Sequence, residues 1–214
     1  MVLAIAVAAV VAVAIAVPLA ILLSGSRDGG GSSGGTVIAW NPSHQDDTGT
    51  DGWREYVVCG DIAKKTMALL PEFTNVLCWE TGMGFTSDSG AALASECEKA
   101  NDAKAQVFIA VHINGGGGSG YTGLYYTGDS SSAVYAEAFL RSVCASMGQT
   151  FRYVRPRSNL FVLDPANNDA PIRILLELGD NVNDRKELTS VAGQKKLAAA
   201  LAKAVKETRP SDSG

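Results

Sequence analysis

The chain has 214 residues, 46% hydrophobic and 19% charged, with a formal net charge of −4. That balance describes one ordinary globular domain rather than a disordered or fibrous chain. Its lysines and arginines are scattered, so no basic stripe is available to neutralise phosphates, and nucleic acid is excluded as a partner.

The first segment departs from that average. Val2 to Leu23 carries no charged or polar side chain, and about 22 residues rising about 1.5 Å each reach about 33 Å, the depth of a hydrocarbon core. A cleaved signal has a basic start, a shorter apolar region and a small-residue cleavage site. All three are missing or exceeded here, which favours an uncleaved transmembrane anchor over residues 1–23. Only Arg27 follows closely, so the positive-inside rule says little about orientation. Residues 24–35, SGSRDGGGSSGG, cannot bury apolar surface and read as a flexible linker. The folded domain is expected over 36–209, with 210–214 as a disordered tail. The corresponding location is the cell envelope, with the domain held outside the cytoplasm by its anchor, or secreted if the segment is cleaved.

Within the domain, TVIAW (36–40), NVLCW (75–79), QVFIAVH (106–112), GLYYT (123–127), FVL (161–163) and IRILLEL (172–178) read as strands, rich in β-branched and aromatic residues. Helical stretches lie between them: Glu55 to Leu70, stopped by Pro71; Ser89 to Ala103, with Ser89 as N-cap; Ser132 to Met147, ended by Gly148; and Thr189 to Glu207. This alternation predicts an α/β fold, a largely parallel twisted sheet of about six strands with helices on both faces. In such sheets ligands bind beyond the carboxyl ends of the strands.

The only two histidines fall there. His44 follows the first strand in WNPSHQDD, and His112 closes the third in VFIAVHINGG. A hydrolytic zinc site takes three protein ligands and leaves one position open, so the third ligand must be a carboxylate or a thiolate. Glu55 begins the first long helix, after a loop with glycines at 49 and 52 that can fold back on His44. Asp46, Asp47 and Asp51 compete for the role, and Glu55 also fits an exposed acid favoured by the helix dipole. Glu177 lies in IRILLELGDN, where a carboxylate is costly unless paired or close to a metal. It suits the proton acceptor that zinc hydrolysis requires; the alternative is an ion pair with Arg173.

Across the folded domain these residues resemble the zinc-dependent N-acetylmuramoyl-L-alanine amidases of the amidase-3 type, which cut peptidoglycan between the lactyl group of muramic acid and the first L-alanine of the stem peptide. "NPSH" is similar to the family's D-P-G-H turn and "REYVVCGDIAKK" to its metal-binding glutamate and helix. "AALASECEKAN" resembles the helix ending in A-N, "VFIAVHINGG" the S-I-H-A-N strand, and "NLFVLD" with "ILLELGDNVNDRKEL" the closing stretch. The resemblance implies His44, Glu55 and His112 as zinc ligands, with Glu177 as the catalytic glutamate. Asn41, Ser43, Gln45 and Asp180 depart from the pattern. Ser43 replaces a glycine whose positive φ serine adopts reluctantly. Rival readings are a zinc peptidase acting within the stem peptide and a catalytically silent wall-binding homologue.

Gly115, Gly117 and Gly120 spell G-x-G-x-x-G, but a dinucleotide fingerprint opens a helix, whereas YTGLYYT, a strand, follows here. The tract is expected as a loop at the cleft mouth, with room for a glycan-linked peptide. Cys59, Cys78, Cys97 and Cys144 allow two disulfides in three connectivities or four buried thiols.

Overall fold

The computed structural model describes residues 35–44, 53–79, 90–116 and 118–209. The anchor, all but the last residue of the linker, the tail, Gln45, the three competing aspartates, the Ser89 cap and Gly117 lie outside the described residues. Among the described residues no helix is long and apolar enough to cross a membrane.

Six strands form one sheet: β1 (Val37–Pro42), β2 (Thr74–Leu77), β3 (Val107–Asn114), β4 (Tyr121–Tyr126), β5 (Phe151–Arg157) and β6 (Ile172–Asp180). Their order is β2-β1-β3-β6-β4-β5. Pairing is parallel throughout except between β4 and β6. The reversal has a local cause. Parallel strands need a crossover of a dozen or more residues, and the short glycine loop after β3 is too brief for one. By contrast β4 and β5 are bridged by the long helix α3 (Ser130–Met147), and they pair in parallel.

Alternating side chains divide the core between two faces. Ile38, Trp40, Ile109, Val111, Ile174 and Leu176 pack against α1 (Glu55–Met67), α3 and α5 (Val191–Thr208). Ala39, Phe108, Ala110 and Leu175 face α2 (Gly90–Asp102) and a 3-10 turn, Phe161–Leu163. Helices thus cover both faces, α1, α3 and α5 on one side and α2 on the other. Gly148 ends α3 at φ 73°, the left-handed stop expected of it. Asp129 caps the same helix, accepting from Ser132 N at 2.9 Å, and its other oxygen accepts from the buried Arg173 at 2.8 Å.

Three expectations are corrected. FVL is the 3-10 turn, not a strand: Leu163 N donates to Leu160 O at 3.0 Å and Asp164 N to Phe161 O at 3.2 Å, closing tight local turns, and β6 already has β3 and β4 as neighbours. Strand β5, FRYVRPR, carries no alternating apolar signal; an edge strand tolerates its arginines and Pro156. The last helix is two, α4 (Arg185–Thr189) and α5, because Ser190 leaves helical geometry and caps α5 by accepting from Gly193 N at 2.9 Å.

Gly193 sits where α4 and α5 meet, and a Cβ there would run into the Glu187 carbonyl. Gly193→Ala should therefore lose about 1–3 kcal/mol by overpacking, outweighing any gain in helix propensity. Urea denaturation reads this directly; unchanged stability would show that α4 moves away without cost.

Candidate active site

Strand periodicity aims the chemistry. Phe108 and Ala110 face α2, so His112 faces it too; Leu175 does likewise, and so does Glu177. His112 and Glu177 are directly paired across β3 and β6, and Thr122 of β4 flanks Glu177 on its other side. Glu177 is therefore not spent on Arg173, whose guanidinium goes to Asp129 and to the carbonyls of Leu163 and Ala170.

His44 arrives from β1. Ser43 donates its backbone N–H to Val111 O at 2.8 Å, continuing the pairing with β3, and among the described residues only Lys104 is a non-glycine with positive φ. The expected strain at Ser43 is absent because the turn does not use left-handed backbone. His44 and His112 line one cavity of about 280 Å³, walled by Leu160 and Phe161. A larger cleft, about 430 Å³, lies at the opposite edge of the sheet beside Asn101 and Asp169. There Asn101 is already committed to Asn167 O and Asp169 N, so it is structural.

Glu55 is 2% exposed, not a solvated first-turn acid. Its Oε1 accepts from Ile113 N at 3.1 Å and lies 3.4 Å from His112 Nδ1. It thus meets the second histidine, rather than the first as sequence proximity suggests. His44 instead meets Glu96 of α2, with Nδ1 3.1 Å from Oε1. Sequence reading missed Glu96. The signal was available: Leu93, Glu96, Cys97 and Ala100 share one helix stripe, so an acid stands in an otherwise apolar face. Asn41 donates to the other Glu96 oxygen at 2.9 Å; an aspartate at 41, as in the D-P-G-H pattern, would set two carboxylates in contact.

Electrostatics follow from this crowding. Burial raises the Glu177 carboxyl above the usual range; His112 pulls it down and Glu55 pushes it up, with burial prevailing. Burial alone would lower the His112 imidazole, but Glu55, Glu177 and Glu96 together hold it above its ordinary value. Cys59, under Glu55, is pushed well up by burial and by that carboxylate. All four cysteines are free and buried, so the disulfide alternative is not realised.

Whether a metal fits is answered by the donors. His44 and His112 both line the cavity, Glu55 contacts His112, and Glu177 Oε2 is buried without a hydrogen-bond partner among the described residues. Imidazole nitrogen and carboxylate oxygen are zinc ligands, and orphaned buried ones are costly unless something completes them. Among the described residues, however, no three such side chains converge closely enough to hold an ion as they stand. The site is two carboxylate–histidine pairs around one cavity.

A family model described as N-acetylmuramoyl-L-alanine amidase matches residues 29–207. Solved structures with a similar fold include an N-acetylmuramoyl-L-alanine amidase of Clostridium difficile 630, at 19% identity and TM-score 0.71, covering 85% of this chain and 100% of that one. Amidase AmiC2 of Nostoc punctiforme is 23% identical, TM-score 0.68, covering 82% and 98%. The catalytic domain of CwlV from Paenibacillus polymyxa is 22% identical, TM-score 0.66, covering 80% and 97%. At these identities the structural likeness is one of fold. No curated protein sequence matches the chain.

Proposed function

The chain belongs to the N-acetylmuramoyl-L-alanine amidase family, hydrolases of peptidoglycan, and from that premise we propose that His44, Glu55 and His112 hold zinc while Glu177 manages the proton. The observation that carries this reading is the pairing of His112 with Glu177, with Glu55 in contact with His112, beyond the carboxyl ends of parallel strands. Zinc bound there supplies a water of near-neutral pKa and polarises the lactyl carbonyl.

The remaining steps belong to the chain's own groups. Glu177, held by β6 beside His112, accepts the proton of the attacking water and returns it to the alanine nitrogen as the amide breaks. Its raised pKa brings it closer to the operating pH, where one carboxyl can act as base and then as acid. Glu55 is fixed by Ile113 N, so it meets His112 without a loop to order first. The apolar wall of Leu160 and Phe161 excludes water from the reacting amide. Residues 1–23 anchor the enzyme at the envelope, and 24–35 let the domain reach the wall.

Product analysis tests the activity. Purified full-length protein, supplied with zinc and peptidoglycan, should release intact stem peptides with a free N-terminal L-alanine. Products in which muramic acid keeps its first alanine would instead mean cleavage within the stem.

A further inference from the structure

Among the described residues, Glu96 contacts a candidate zinc ligand, His44, yet neither the family pattern nor the chemistry above gives it a task. It is 1% exposed, and a carboxylate that deep costs several kcal/mol unless something compensates it. Asn41 Nδ2 compensates one oxygen from β1, at 2.9 Å. The other oxygen faces His44 Nδ1 at 3.1 Å and has no hydrogen-bond partner among the described residues, nor has that nitrogen. Two polar atoms with no hydrogen-bond partner among the described residues thus face each other at ion-pair distance, and buried polar groups of this kind are costly unless they are paired.

Resting on the zinc reading above, we propose that Glu96 is a positioning residue for His44. Its carboxylate, clamped by Asn41, engages the Nδ1 side of the ring and leaves the other ring nitrogen to serve the cavity. Helix α2 thereby acts on the metal site without supplying a ligand. The logic is general for metal-binding histidines: the partner of the second nitrogen fixes ring orientation and tautomer and raises basicity. His44 needs such help more than His112 does. His112 is built into the middle of the sheet between β1 and β6, whereas His44 stands just past the end of β1, where its ring orientation is not set by strand pairing.

Zinc affinity of the full-length chain, measured against a competing chelator, tests this independently of turnover. Glu96→Gln keeps the shape and removes the charge, and should weaken zinc binding about 10–100-fold. Asn41→Ala, which releases the clamp, should give a smaller loss in the same direction. Cobalt substitution supplies the discriminating readout: in Glu96→Gln the visible bands of bound cobalt should keep their positions, because the ligand set is unchanged. Unaltered zinc affinity in both variants, a wild type that binds no zinc, or a changed cobalt spectrum marking Glu96 as a ligand would each overturn the proposal. A wild type that binds zinc tightly yet leaves peptidoglycan intact would sink the amidase reading while the affinity comparison still decides the role of Glu96.

Discussion

Glu177→Gln should reduce peptidoglycan hydrolysis about 10²–10⁴-fold and, in the metal-free protein, raise thermal stability. The two effects have one origin. Burial dominates the environment of Glu177 and raises its carboxyl pKa, against the lowering by His112. A carboxyl whose folded pKa lies above its unfolded value favours the fold fully at pH below the unfolded value, and that contribution is lost as pH rises through the folded pKa. At neutral pH, above the unfolded value, this raised carboxyl therefore opposes folding. Glutamine resembles the protonated acid and removes the opposition, while abolishing the basicity that the reaction needs. Melting in chelator should show a gain of a few degrees near neutrality, on the scale of about 2–4 °C per kcal/mol, shrinking toward acid pH. A variant less stable than wild type at neutral pH would mean that His112, not burial, governs this carboxylate. Activity sacrificed for a more comfortable fold is the usual trade at catalytic positions.

The fold was legible where one physical signal dominated. β3 and β6 are near-continuous apolar runs, as strands buried on both faces must be, and their sequence exposes both the strand and the polar residue that ends it. Strand β5 was hidden because an edge needs no apolar alternation, and Ser190 concealed a helix break that only packing against Gly193 makes plain. At the site, residue types were readable and partners were not. Glu55 is closer in sequence to His44, yet it contacts His112, because α1 packs across β1 and β3 and carries its first residue over Ile113. Glu96 could be read as an acid in an apolar helix stripe, but not its partner, because Asn41 lies 55 positions away. Spacing along the chain ranks candidates for a metal, but the sheet order decides which carboxylate meets which imidazole.

The second large effect is expected from His112. Chelation should bring hydrolysis to background, and zinc should restore it to the wild type; His112→Ala should recover nothing at stoichiometric zinc. Its affinity loss should exceed the about 10–100-fold that outer partners supply, since a nitrogen donor itself is gone. A second effect belongs to the metal-free protein: His112 lowers the Glu177 pKa there, and without it Glu55 is left to push that carboxyl further up. Proton competition provides an independent check in the unmutated protein. The carboxylates hold the His112 pKa above its ordinary value despite burial, so in the metal-free fold this residue contributes stability that is complete below the unfolded histidine pKa and fades as pH rises through the folded one. Zinc binding runs the other way, because an imidazole must lose its proton to ligate. Lowering the pH through the raised His112 pKa should therefore weaken zinc while strengthening the empty fold. Zinc titrations and melts at matched pH values read the two trends; affinity that stays flat across that window would remove His112 from the ligand set.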